Sequence, residues 1–165
     1  MRKFQFRTPL ALALVVAFVL GTVWQSAIGK TEAGPSAIRD ALAQTDEVRG
    51  APDRTMVLSR VVVPPGAVLA LHHHLGTQIA RVQSGTLTYT VESGAVVVRR
   101  GESDQDPQVV RTIADGQTGR ITAGQWIVEQ PSAIHRATNK GSTPVVIYIA
   151  TLLKKGASPS TPVSG

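Results

Sequence analysis

Residues 72 to 78 read HHHLGTQ, and three of the four histidines in the chain stand side by side there. Imidazole is the commonest protein ligand for transition metals, but a histidine run can also chelate metal incidentally from an exposed loop. Spacing decides between the two. The run closes the apolar stretch AVLAL, which reads as a strand, and side chains alternate faces along a strand. His72 and His74 are therefore expected to point the same way, with Val68 and Ala70, while His73 points the other way with Leu69 and Leu71. Residues two apart on a strand are separated by roughly 6.6 Å, and two imidazoles at that spacing can converge on one ion at about 2.1 Å each. His73 is left as a rim or solvent-facing residue. Two ligands hold an ion poorly, so the pair needs a third, and the remaining histidine is His135, in the β-like stretch GQWIVEQPSAIHRATN. The sequence contains no cysteine, so any metal must be held by nitrogen and oxygen.

The elements that must position these side chains are short and β-branched. From Met56 onward come MVLSRVVV, AVLALHHH, TQIARV, TLTYTV, AVVVRR, QVVRTI, GRITA, QWIVE, IHRAT and VVIYIATLL, separated by turn residues drawn from 15 glycines and 10 prolines. So many short strands in one segment predict an all-β barrel or sandwich over residues 51–153. In TLTYTV the alternation puts Leu87, Tyr89 and Val91 on one face and Thr86, Thr88 and Thr90 on the other. GESDQDPQ reads as a charged loop. Residues 30–50 read as a linker, with a short helix predicted in PSAIRDALAQ, where Pro35 can start it and Ile38 and Leu42 are four apart. The last residues, 154–165, read KKGASPSTPVSG and are expected to be a disordered tail.

Residues 1–29 have a basic head, an apolar run from Leu10 to about Trp24, and then small residues. That is the layout of a secretory signal peptide, with Ala27 and Gly29 suited to a cut before Lys30. An uncleaved signal anchor is the alternative, since Pro9 to Ile28 is close to the roughly 20 residues a span needs. Either way the remainder is expected to be exported, secreted or held at the cell envelope. With Arg2, Lys3 and Arg7 set aside, the 17 basic residues fall to 14 against 11 acidic ones, a net charge of +3. No basic stripe with interleaved aromatics is present, so nucleic acid is not an expected partner.

The two histidine segments resemble the two motifs of the cupin superfamily. The first motif runs Gly, five residues, His-x-His, three or four residues, Glu, six residues, Gly. Here Gly66 is followed by AVLAL, then His72, His73 and His74, then LGT, Gln78, IARVQS and Gly85. The spacing matches throughout, and Gln78 stands where the family usually has Glu. The second motif runs Gly, five residues, Pro-x-Gly, two residues, His, three residues, Asn. Gly124, His135 and Asn139 keep that spacing, while Gln130 and Ser132 occupy the Pro and Gly positions with Pro131 between them.

The resemblance implies a double-stranded β-helix with His72, His74 and His135 lining its lumen around one divalent metal. Gln78, neutral and never titrating, would be a weak fourth ligand or a group orienting a bound water or substrate oxygen. Three imidazoles suit Fe, Ni, Cu, Zn or Mn without choosing among them, and leave the ion its full charge for anionic or enolate-like oxygens. Among nearby residues, Tyr89, Trp126 and Tyr148 are expected in a pocket wall or in the core, and Glu129 is expected to be solvated. The functional expectation is an exported metal-binding protein acting on a small oxygenated molecule, as a dioxygenase, with a homodimer common in proteins of this type. The alternative is a non-catalytic small-molecule binding or sensing module of the cell envelope.

Overall fold

The computed structural model describes residues 34–101, 107–131 and 133–164, all strand or connection. The expected signal or anchor segment and most of the GESDQDPQ loop lie outside the described residues. Twelve strands follow one another: β1 (Ile38–Thr45), β2 (Arg54–Val63), β3 (Val68–His73), β4 (Gly76–Ser84), β5 (Thr86–Ser93), β6 (Ala95–Arg100), β7 (Gln108–Ala114), β8 (Thr118–Thr122), β9 (Gln125–Glu129), β10 (Ile134–Thr138), β11 (Val145–Lys154) and β12 (Thr161–Pro162). They form two antiparallel sheets, one ordered β1-β2-β11-β4-β9-β6-β7 and the other β12-β3-β10-β5-β8. The inner faces of the two sheets share one apolar core.

Local pattern accounts for much of this. On β5 the predicted inward row is buried, Leu87, Tyr89 and Val91 together, and the threonines alternate with them. On β2 and β11, Val61, Val63, Ile147 and Ile149 face the same core. The β4–β5 turn needs Gly85, whose φ of 80° lies in the left-handed region and whose absent Cβ would stand 3.0 Å from the Pro144 carbonyl oxygen. Asn139, the last residue of the second motif, is a buried clamp. Its amide nitrogen donates to the carbonyls of Val63 and Thr143 at 2.8 Å each, and its Oδ1 accepts from the Gly141 N–H at 2.9 Å. It holds the β10–β11 connection against the end of β2.

Two segments outside the expected barrel belong to it. The helix predicted in PSAIRDALAQ is strand β1, paired along β2 from Ile38↔Val62 to Thr45↔Met56, with a bulge between Ala41 and Ala43. Two helical turns with one apolar pair cannot offset their nucleation cost, whereas the open edge of β2 supplies a ready ladder of backbone partners. The tail expected to be disordered returns to β3. Thr161 and Pro162 lie opposite His73 and His72, and the Val163 N–H donates to the Leu71 carbonyl at 3.1 Å. Both segments cover what would otherwise be free sheet edges.

Candidate metal centre

Strand β3 does not alternate uniformly into its histidines. Opposite β10, His72 faces His135 and Leu69 faces Ala137, so three residues of β3 span two of β10. This bulge resets the parity. Leu69 packs against the core and Val68 is exposed, the reverse of simple alternation, yet His72 still turns inward beside His135. His74, just past the strand, is also buried, whereas His73 pairs with the tail and stands apart from the cluster.

The three predicted histidines converge. His72, His74 and His135 each offer a ring nitrogen, and these atoms lie within 4.8 Å of one another. His74 Nε2 is 3.2 Å from His135 Nε2. Two nitrogens each about 2.1 Å from one ion would be about 3 to 3.5 Å apart, so this pair already has ligand spacing. The proton positions fit as well. His72 Nδ1 is 2.6 Å from the Ala70 carbonyl and His74 Nδ1 is 2.7 Å from that of Pro159. A carbonyl only accepts, so both Nδ1 atoms carry the proton and both Nε2 atoms turn lone pairs toward the centre, the arrangement metal-binding histidines use. His135 Nδ1 is buried with no completed hydrogen bond, the Ala133 carbonyl lying toward it. Burial depresses the basicity of His74 and pushes His135 down to about 4, both opposed by the charge of Glu129. Neutral imidazole, the ligating form, is thus favoured.

Glu129, expected to be solvated, is buried at 4% exposure. Strand β9 keeps its alternation to the end, so Gln125, Ile127 and Glu129 face inward and Trp126 and Val128 outward. That parity with Ile127 was the available signal. Glu129 lies opposite Gln78 in the β4–β9 ladder. It accepts hydrogen bonds from the Gln78 amide and from the Tyr89 hydroxyl, the latter at 2.7 Å. Its Oε1 is 3.2 Å from His135 Nε2 and its Oε2 3.7 Å from His74 Nε2. Burial alone would raise the Glu129 carboxyl, but His135, His74 and the two donors together hold it below the ordinary carboxylate value. Site charge is therefore not the three neutral imidazoles expected, because a carboxylate stands among them.

Gln78 is buried at the centre and its amide nitrogen lies 2.6 Å from His74 Nε2. The carboxylate orients it: the NH2 turns to Glu129, and Oε1 is left buried without a partner. In this orientation Gln78 donates hydrogen bonds and presents no oxygen to the three nitrogens.

Tyr89 belongs to the wall, its ring stacked on His135 at 5.1 Å and 23°. Burial and the charge of Glu129 both hold its hydroxyl in the protonated, donating form. Trp126 faces outward under the Arg99 guanidinium, 5.3 Å from its ring, and Tyr148 is 38% exposed on the outer face. Neither reaches the lumen. Beside the histidines lies a cavity of about 250 Å³ with apolar walls that include Val82, Leu87, Ile121 and Ile127. Arg39 on β1, opposite the inward Val61, lines its mouth, and Ser160 and Pro162 of the tail complete the wall.

No protein-family model and no curated protein matches the sequence. Among solved structures the chain is similar to a cupin 2 domain-containing protein from Halorhodospira halophila, 15% identical with a TM-score of 0.50 over 83% of this chain and 77% of that one. It is also similar to the Cnp3 cupin domain of Schizosaccharomyces pombe, 12% identical with a TM-score of 0.50 over 72% of this chain and 65% of that one. Likeness at such identities speaks to the fold. The chain thus has the fold of cupin domains, with three clustered histidines that could hold a metal ion.

Proposed function

We propose that this protein is an exported, metal-dependent enzyme of the oxygenase type that acts on a small oxygenated anion inside the barrel. His72, His74 and His135 would hold one divalent cation. When bound, that cation supplies Lewis acidity, attracting and polarising an anionic or enolate oxygen. The observation that carries the reading is the buried carboxylate of Glu129, 3.2 Å from His135 Nε2 and beside a cavity large enough for a small molecule. A packed or purely structural site has no need of a buried carboxylate, whose burial is costly without function.

The other residues have complementary roles. The apolar walls exclude water and accept the hydrocarbon body of the substrate. Arg39 at the mouth offers a cationic fork to an anionic end. Tyr89 and Gln78 keep Glu129 oriented, and its charge stands beside the histidines that would hold the cation. Export is supported by the basic-then-apolar N-terminus.

The test has two parts. Elemental analysis of purified protein should find about one divalent metal per chain, lost in the His72→Ala/His135→Ala double variant. Iron-loaded protein should then consume oxygen with some member of a panel of diketones, phenols and flavonols. Metal retained in the double variant would sink the site assignment, and metal binding without turnover of any panel member would favour a binding module.

A further inference from the structure

We infer that Glu129 is the carboxylate ligand of this centre, moved across the β4–β9 ladder from the position Gln78 occupies. The inference rests on the metal reading above.

The register makes the exchange geometrically simple. Gln78 and Glu129 are direct cross-strand partners on the inward face, and such partners have Cβ atoms about 4.5–5.5 Å apart. Moving the acid from one to the other leaves it at the same height in the barrel. Its oxygens then stand 3.2 Å from His135 Nε2 and 3.7 Å from His74 Nε2, while those two nitrogens are 3.2 Å from each other. Two nitrogens and a carboxylate whose Oε1 lies nearer His135 and Oε2 nearer His74 can share one ion, given metal–nitrogen and metal–oxygen distances of about 2.0–2.2 Å. Among the described residues Glu129 is the one carboxylate lining the cavity.

The residue at 78 is complementary to this arrangement. Its amide donates to Glu129, so it holds the carboxylate in place without adding charge. A second acid there would set two buried carboxylates side by side, and one would be forced to stay protonated. Acid at one position and amide at the other is the balanced pair. With Glu129 as ligand, the centre carries one net positive charge when a divalent ion is bound, and not two.

Zn(II) affinity, read by competition with a chromophoric chelator, tests this with the full-length protein. Glu129→Gln should weaken binding more than about 100-fold, beyond the roughly 10–100-fold that partners outside the coordination shell cost. The swapped variant Gln78→Glu/Glu129→Gln should recover to within about threefold of wild type. The Co(II) absorption spectrum should change in the single variant and return in the swap. The swap keeps one carboxylate, so it remains informative if Glu129→Gln alone does not fold. Wild-type protein that takes up no Zn(II) would overturn the metal reading and this inference with it. Zn(II) bound normally by wild type and weakened about 100-fold or less by Glu129→Gln, or a swap as weak as the single variant, would overturn this inference alone.

Discussion

Replacing Tyr89 by Phe isolates the interaction that keeps a charge inside the barrel. The hydroxyl is buried, 2.7 Å from Glu129 Oε1, and makes no other contact that the substitution would remove, while the ring keeps its stacking on His135. A hydrogen bond to a charged group contributes about 1.5–3 kcal/mol, and a buried carboxylate losing one donor falls near the upper end. We expect metal-free Tyr89→Phe to lose about 2–3 kcal/mol in urea unfolding, equivalent to a melting temperature lower by about 8 °C for a domain of this size. The same substitution made in Glu129→Gln should cost less, since the acceptor is then neutral. A double-mutant cycle should show coupling of about 1 kcal/mol or more. A loss below about 0.5 kcal/mol in Tyr89→Phe, the range of neutral surface changes, or zero coupling, would refute the claim that Glu129 is ionised and held by this hydroxyl.

Other outcomes follow from the same geometry. The metal-free protein should be acid-labile: His135 is held at about 4 when folded against an ordinary value near 6.5, so the unfolded chain binds the extra proton between those limits. Its contribution is present above pH 6.5 and is lost as pH falls through 4, about 3 kcal/mol in all, with the depressed His74 acting in the same sense; urea midpoints that stay flat from pH 7 to 4.5 would contradict this. Truncation after Lys155 removes the Pro159 carbonyl that fixes His74 Nδ1 and the cavity wall at Ser160 and Pro162, and should weaken Zn(II) binding about tenfold or more by chelator competition. Gly76→Ala would place a Cβ 2.1 Å from the Leu152 carbonyl oxygen, backbone that cannot yield without parting β4 from β11; calorimetry should show a loss of about 3 kcal/mol, and an unchanged melting temperature would mean the strands do not approach as described.

The sequence by itself determined the all-β class, the inward row of β5, and which three histidines cluster, because these depend on local alternation and on motif spacing. Tertiary structure decided the rest. The bulge in β3 makes Leu69 rather than Val68 face the core before His72 turns inward, and only pairing with β10 sets it. Strand β1 and the returning tail carry little apolar pattern of their own. They are ordered by open sheet edges, β1 by the following strand β2 and the tail by the distant β3, and through Arg39, Ser160 and Pro162 they line the cavity. Glu129 shows the division most sharply. Its parity with Ile127 was legible, but Pro131, two residues on in the sequence, left open how far the strand ran. That it meets Gln78 follows from the β4–β9 register, and that it meets Tyr89, His74 and His135 follows from the other sheet packing against it. A single sequence states which residues alternate, whereas cross-strand register, which decides where a charge is buried and what satisfies it, exists only in the folded barrel.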